Sequence, residues 1–270
     1  MGNRSALFRF RSSAPRALIH LLISFAVACT VAAWVLIFWF PAPFADISGG
    51  YPLFFLIVSV DLVCGPLLTL MLLHDQKTKR ARMVDLTLIV LVQISALAYG
   101  VYTLALARPL AVVFEVDRFR VVSYADIDIS EKESLPDWAT PWGAGAPRIL
   151  GTRLPRTSDE KFESLDASLQ GVEKSQRPDW WQPYEKSQEQ VKGRAMPLVM
   201  LFQMHPSKEE EIRDAAQKVV AKQNGSVNNL DDLLWLPVVG RQTMDWVALI
   251  DPVSMYILGY LNADGFGTDE

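Results

Sequence analysis

Three long apolar runs constrain this chain more than any other feature of its sequence. They cover residues 17–40 ("ALIHLLISFAVACTVAAWVLIFWF"), about 51–73, and about 83–107 ("MVDLTLIVLVQISALAYGVYTLALA"). A helix needs about 20 predominantly apolar residues to cross the hydrocarbon core of a bilayer. Backbone groups in lipid must bond to one another, and a helix does this within a single segment. A cleaved signal peptide is a rival reading of the first run, and its basic start fits that reading. Its length does not, nor does the bulky "VLIFWFPAPF" where small residues should precede a cleavage site. The runs therefore predict three transmembrane helices. From Arg108 onward the chain turns polar and rich in Pro and Trp, which predicts a water-facing α+β domain. The expected organisation is a basic N-terminus over 1–16, a three-helix membrane domain over 17–107 and the polar domain over 108–270.

Direction follows from Lys and Arg in the short connections. Arg4, Arg9, Arg11 and Arg16 precede the first span, and Lys77, Lys79, Arg80 and Arg82 lie between the second and third. The first connection, "PAPFADISGG", carries neither Lys nor Arg. Both basic segments are expected in the cytoplasm, which places everything after Ala107 on the opposite side.

The second run contains a carboxylate and a helix breaker close together, in "IVSVDLVCGPLLTLMLL". Asp61 is expected near the bilayer midplane, where it costs on the order of 3 kcal/mol. Gln93 of the third run should lie at similar depth, with Ser95, Ser24 and Thr30 as further partners. Two readings stand beside each other, with a proton or ion relay as a third. Asp61 is a buried tie between helices, contributing about 0.6–2 kcal/mol, or it belongs to a contact site for another membrane segment. Pro66 frees a backbone carbonyl one turn earlier and kinks the helix. Gly65 lets a neighbouring helix approach closely. Asp61, Gly65, Pro66 and Gln93 are thus the candidate helix-partner contact. His20 and His74 read as interfacial polar residues at span ends.

In the polar region, β-rich runs at 111–116 and 119–124 flank Asp117-Arg118 and predict a hairpin. Residues 126–156 read as loop, Ser158–Leu169 as helix, and a short helix follows Pro183. "MPLVMLFQM" (196–204) reads as a strand. The helix after His205 has capping-box spacing at Ser207 and Glu210, an apolar stripe ending at Val219 and Val220, and an Asn224-Gly225 stop. Strands are expected at 234–240, 246–250 and 256–261, with Asp251-Pro252 opening the last turn. Trp180-Trp181 is the candidate contact of this domain, although two tryptophans in a Pro-flanked turn more often serve as core anchors.

Two cysteines, Cys29 and Cys64, both in apolar runs, build neither a disulfide framework nor a zinc site. A net charge of −4 with no basic stripe gives nothing for a nucleic-acid backbone. No nucleophile elbow, phosphate loop, dinucleotide fingerprint or metal motif is present. No cofactor, metal or enzymatic activity is expected. A sensor module with a ligand-binding polar domain is the alternative, and it would need a partner kinase.

The strings "WFPAPFADISGG", "VSVDLVCGPLLTL", "ALAYGVYTLALARPLAVVFEVDRFRVV", "RPDWWQPY" and "DWVALIDPVSMYILGYL" together resemble the TfpX/TfpZ-type type IV pilin accessory proteins. The likeness is densest over residues 18–122, and "VDLVCGPL" and "FEVDRFRVV" are its most specific parts. Cys64, before the Gly-Pro, is not expected to be general in that family. The resemblance implies a non-enzymatic protein of the bacterial inner membrane with a periplasmic C-terminal domain. It implies a type IV pilin subunit as partner and help in assembling that pilin into the pilus. It carries over no site residues.

Overall fold

The computed structural model describes residues 2–72, 78–128, 131–132, 135–222 and 229–267, and the side chains at 2–14, 16, 60 and 61 lie outside that description. Helix α1 (Gly2–Phe38) is continuous from the basic N-terminus through the first apolar run. At 1.5 Å per residue it is about 55 Å long, well beyond a hydrocarbon core of about 30 Å. A four-residue helix, α2 (Phe44–Ile47), sits in the first connection. Helices α3 (Gly50–Leu72) and α4 (Lys79–Ala107) follow, with Thr78 capping α4 by accepting the Ala81 N–H at 3.3 Å. All three long helices contain stretches long and apolar enough to cross a membrane. Their outer faces expose Leu22, Phe55, Met71, Leu91 and Tyr99. Such a surface is expected where the surrounding solvent is hydrocarbon.

Only Arg108 separates α4 from β1 (Pro109–Glu115). Strand β1 forms a hairpin with β2 (Arg118–Ser123). The turn is Val116-Asp117, one residue earlier than the sequence suggested, because Glu115 pairs with Arg118. The other strands are β3 (Arg148–Thr152), β4 (Trp181–Pro183), β5 (Met196–Pro197), β6 (Leu234–Val239), β7 (Trp246–Ile250) and β8 (Ile257–Asn262). They form one mixed sheet in the order β4-β3-β1-β2-β6-β7-β8, with β5 pairing β6. The pairs β1–β3 and β2–β6 are parallel. All seven residues of β1 are buried. A strand covered on both faces loses the alternation that marks a half-solvated one.

One face of the sheet packs Val112, Phe114, Leu236 and Val238 against Tyr184, Val191 and, from α2, Phe44 and Ile47. The connection between the first two long helices thus supplies core residues to the sheet. The other face is covered by Trp138 and Trp181 at the β3–β1 end. At the β6–β8 end it is covered by α7 (Leu198–Met204) and α8 (Glu209–Lys222). Between these helices and β3 in sequence lie α5 (Ser158–Leu169) and α6 (Gln188–Lys192).

Three sequence expectations change. Residues 196–204 form only a two-residue strand before α7. Pro197 cannot donate to a continuing ladder, and Leu198, Leu201 and Phe202 are buried at helical spacing while Val199 and Met200 are exposed. The supposed loop 126–156 contains β3, which lies parallel to β1 through a tertiary pairing that no local pattern announces. Helix α8 starts at Glu209 after a tight turn over Pro206–Lys208, which replaces the Ser207 capping box. Its expected Asn224-Gly225 stop lies outside the described residues.

The sheet is mounted closely on the bundle. A Cβ added to Gly240 would lie 1.9 Å from the Ile47 carbonyl oxygen. The Gly145 N–H donates to Phe38 O at 2.9 Å, and Trp142 meets the Trp39 ring edge-on at 6.0 Å.

Candidate functional site

Helix α3 packs against both α1 and α4. Its Gly65 faces α4 so closely that an added Cβ would lie 2.0 Å from Gln93 Nε2. The Gln93 carboxamide occupies the space a side chain would take, so a larger residue at 65 would have to displace it. Gln93 therefore meets α3 one turn along from Asp61. The Asp61 side chain lies outside the described residues, as does His74. Pro66, beside Gly65, is half-buried. Among the other polar candidates, Ser24 is buried, Ser95 is exposed, and the Thr30 hydroxyl donates to Ala26 O of its own helix at 2.9 Å.

His20, near the start of the first apolar run, has a role that the sequence did not announce: it bridges three helices. Its Nε2 bonds Gln93 Oε1 at 2.6 Å, and its Nδ1 bonds Thr69 Oγ1. A carboxamide oxygen can only accept, so Nε2–H donates. In a neutral ring Nδ1 then accepts from the Thr69 hydroxyl. Thr69 is 2 % exposed. The spacing of His20 from Ser24 and Val27, on one face of α1, was the available signal.

Beside this tie, α1 and α4 are separated by a groove of about 530 Å³. Its walls are aliphatic, with Ile23 and Val27 on α1 and Val90 and Ile94 on α4, and His20, Thr69 and Gln93 supply polar atoms. Arg82 lines the end remote from the sheet. The arrangement can accept an apolar segment along its length, past the mutually bonded His20, Thr69 and Gln93 in its lining. Among the described residues no group of three or more His, Cys, Asp or Glu is placed to hold a metal.

In the sheet domain the tryptophan pair serves the core. Trp180 is 1 % exposed and lies under Arg153, Lys174 and Arg177, whose cationic groups sit 4.4, 5.1 and 5.8 Å from its ring. Trp181 donates its indole N–H to Ser175 O at 2.7 Å and stacks on Trp138. Neither ring is offered as an open platform. Glu115, at the end of β1, is also buried, accepting from Ser175 Oγ at 2.5 Å and Lys174 N–H at 2.9 Å. Burial pushes its carboxyl above the usual range, with the charge of Glu173 adding to the effect.

Fold and groove define a protein whose polar sheet domain is fixed to a bundle of three long apolar helices. A family model described as "Fimbrial assembly protein FimB" matches residues 8–49. Two fimbrial assembly proteins of Dichelobacter nodosus, of serogroups I and E1, are each 34% identical over 260 residues, covering 96% of this chain and 98% of theirs. A third, of serogroups C1 and C2, is 44% identical over 123 residues, covering 46% of this chain and 94% of its own. No solved structure matches. The chain belongs to the fimbrial assembly protein family.

Proposed function

We propose that this protein is an inner-membrane accessory factor that helps its cognate type IV pilin assemble into the pilus, without catalysing a reaction. Family membership supports the assembly role, and the finer likeness to TfpX/TfpZ-type proteins supports the choice of a type IV pilin. The basic N-terminus and the basic α3–α4 connection support a cytoplasmic N-terminus and a periplasmic sheet domain.

The observation that carries the mechanism is the groove between α1 and α4. A membrane helix of a subunit awaiting assembly presents an apolar surface, and so does the lipid around it. Selection must then come from shape and from polar atoms at a defined depth. The groove offers both, with Val90 and Ile94 on one wall and the His20–Gln93 pair in its lining. Gly65 and Gln93 act first within the bundle, setting the α3–α4 contact that shapes the groove. Asp61 and Pro66 on the same helix complete the proposed contact. Holding the subunit helix here keeps it oriented for extraction and limits premature aggregation.

A photo-crosslinker at Val90 or Ile94 is expected to capture pilin, whereas one at the lipid-facing Tyr99 is not. Deleting the gene should remove surface pili while pilin remains in the membrane, and add-back of Asp61→Ala should restore them only in part. Normal piliation without the gene would end the assembly reading. Normal piliation with no capture at Val90 would end the groove reading alone.

A further inference from the structure

The end of the sheet domain far from the bundle carries a second concavity, independent of the membrane groove. It measures about 350 Å³ and is lined by Arg153, Lys174, Arg194, Val116 and Leu154, with Thr152, Gln190 and Gly193. Its charged lining is entirely positive in a chain whose net charge is −4. Arg153 is committed to Glu160 at 2.6 Å and Asp179 at 3.7 Å. Arg194 is exposed, and among the described residues it has no carboxylate partner. The Lys174 ammonium sits 5.1 Å from the centre of the Trp180 ring. Glu115 lies behind the pocket and turns its carboxylate to Ser175 and the Lys174 backbone.

The lip of the pocket is apolar and strained. Val116 sits at φ 54° in the two-residue turn between β1 and β2. A β-branched residue in that region is an outlier, since such turns normally take glycine there. Strain of this kind persists where its surroundings enforce it, commonly at binding sites. The consequence here is an aliphatic side chain, 55% exposed, at the pocket mouth near Leu154, which is 67% exposed.

We infer that this pocket binds an acidic peptide segment. A carboxylate would be held by Arg194 and Lys174, and a neighbouring aliphatic residue would sit between Val116 and Leu154. Guanidinium and ammonium donors form short, charge-assisted bonds to carboxylates, and the volume fits one or two side chains rather than a folded surface. The seven residues of β1, roughly 20 Å at about 3.3 Å each, separate the pocket from the end of α4, which argues against a lipid headgroup as its occupant. A free inorganic anion would make no use of the aliphatic lip.

The test uses the whole protein in nanodiscs and a labelled peptide, Gly-Ser-Glu-Leu-Glu-Ser-Gly, read by fluorescence anisotropy against empty nanodiscs. Binding should weaken about tenfold or more in Arg194→Glu and largely return in Arg194→Lys, as expected for a charge pair. Replacing Glu by Gln in the peptide should have a similar effect, and replacing Leu by Ser a smaller but clear one. Arg194 is exposed, so an unchanged melting temperature is expected to confirm that the variants fold. Absence of binding, or equal binding by wild type and Arg194→Glu, overturns the inference. Full displacement by inorganic phosphate, together with equal affinity for the Leu→Ser peptide, reduces the pocket to a simple anion site and also overturns it.

Discussion

The bundle and the sheet domain are built on opposite rules, and the contrast shows where each carries its information. In the sheet domain every β1 side chain is buried, and Trp235, Phe114 and Leu249 are fully enclosed. Burial from water drives that half. In the bundle, Trp39, Phe40 and Leu104 are buried toward the sheet, but along most of its length large apolar side chains point outward while Ser24, Thr69 and Gly65 sit inside. Lipid is as apolar as leucine, so association there depends on close approach and hydrogen bonds. A truncation should therefore cost more in the sheet, and a polar deletion should matter more for specificity in the bundle.

The largest test of this contrast is Trp235→Ala, which empties the space between β6 and α7. A loss of about 3–5 kcal/mol is expected, readable as a fall in denaturant midpoint of the purified protein. Gly240→Val comes next. It drives a side chain into the Ile47 backbone at the joint of the two regions, costing about 1–3 kcal/mol. Limited proteolysis should then cut the 241–245 segment faster than in wild type. His20→Ala should cost only about 0.6–2 kcal/mol, with thermal unfolding in nanodiscs as the measure. If it exceeds Trp235→Ala, the contrast between the two regions is wrong.

The smallest effects are electrostatic, and two carboxylates should respond with opposite sign. Hydrogen bonds from Arg153 and from the Arg156 N–H pull the Glu160 carboxyl from 4.5 to about 2. Its stabilisation is complete above the unfolded pKa and is lost as pH falls toward 2. Glu160→Gln should flatten the acid limb of a stability–pH curve between those values. The Glu115 carboxyl is raised by burial. Its stabilisation is present below the unfolded pKa and fades as pH rises through the higher folded one. Glu115→Gln should accordingly stabilise the protein slightly at neutral pH and have little effect in acid.

The long helices were legible because hydrophobicity sustained over twenty or more residues needs no tertiary context. The last three strands were legible for a related reason, since Asp251 closes their turn locally by accepting the Val253 and Ser254 N–H groups at 2.9 and 2.7 Å. Residues 196–204 misled because an apolar run of that length fits a buried strand or a buried helix, and the distant residues that it packs against, such as Trp235 and Leu261, are not visible in the local pattern. Strand β3 stayed hidden because its pairing with β1 spans a long connection. The site followed the same division. Gly65 and Gln93 were recognisable as small or polar residues within apolar runs, and the structure brings them into contact. His20 was missed because its partners, Thr69 and Gln93, come from two other helices. The pocket at Arg194 was missed because cations distant in sequence leave no local motif.

A single residue, Arg108, joins the last long helix to the interior strand β1, and both neighbours are buried. The heading of the whole sheet about the helix axis is therefore fixed by helical phase. One alanine inserted before Arg108 would ask the domain to turn by about 100°, the step of a helix with 3.6 residues per turn. The contact between Gly240 and Ile47 forbids that turn. The exposed pocket must therefore keep one compass bearing relative to the groove below it, as a gauge with both jaws on one frame keeps its setting.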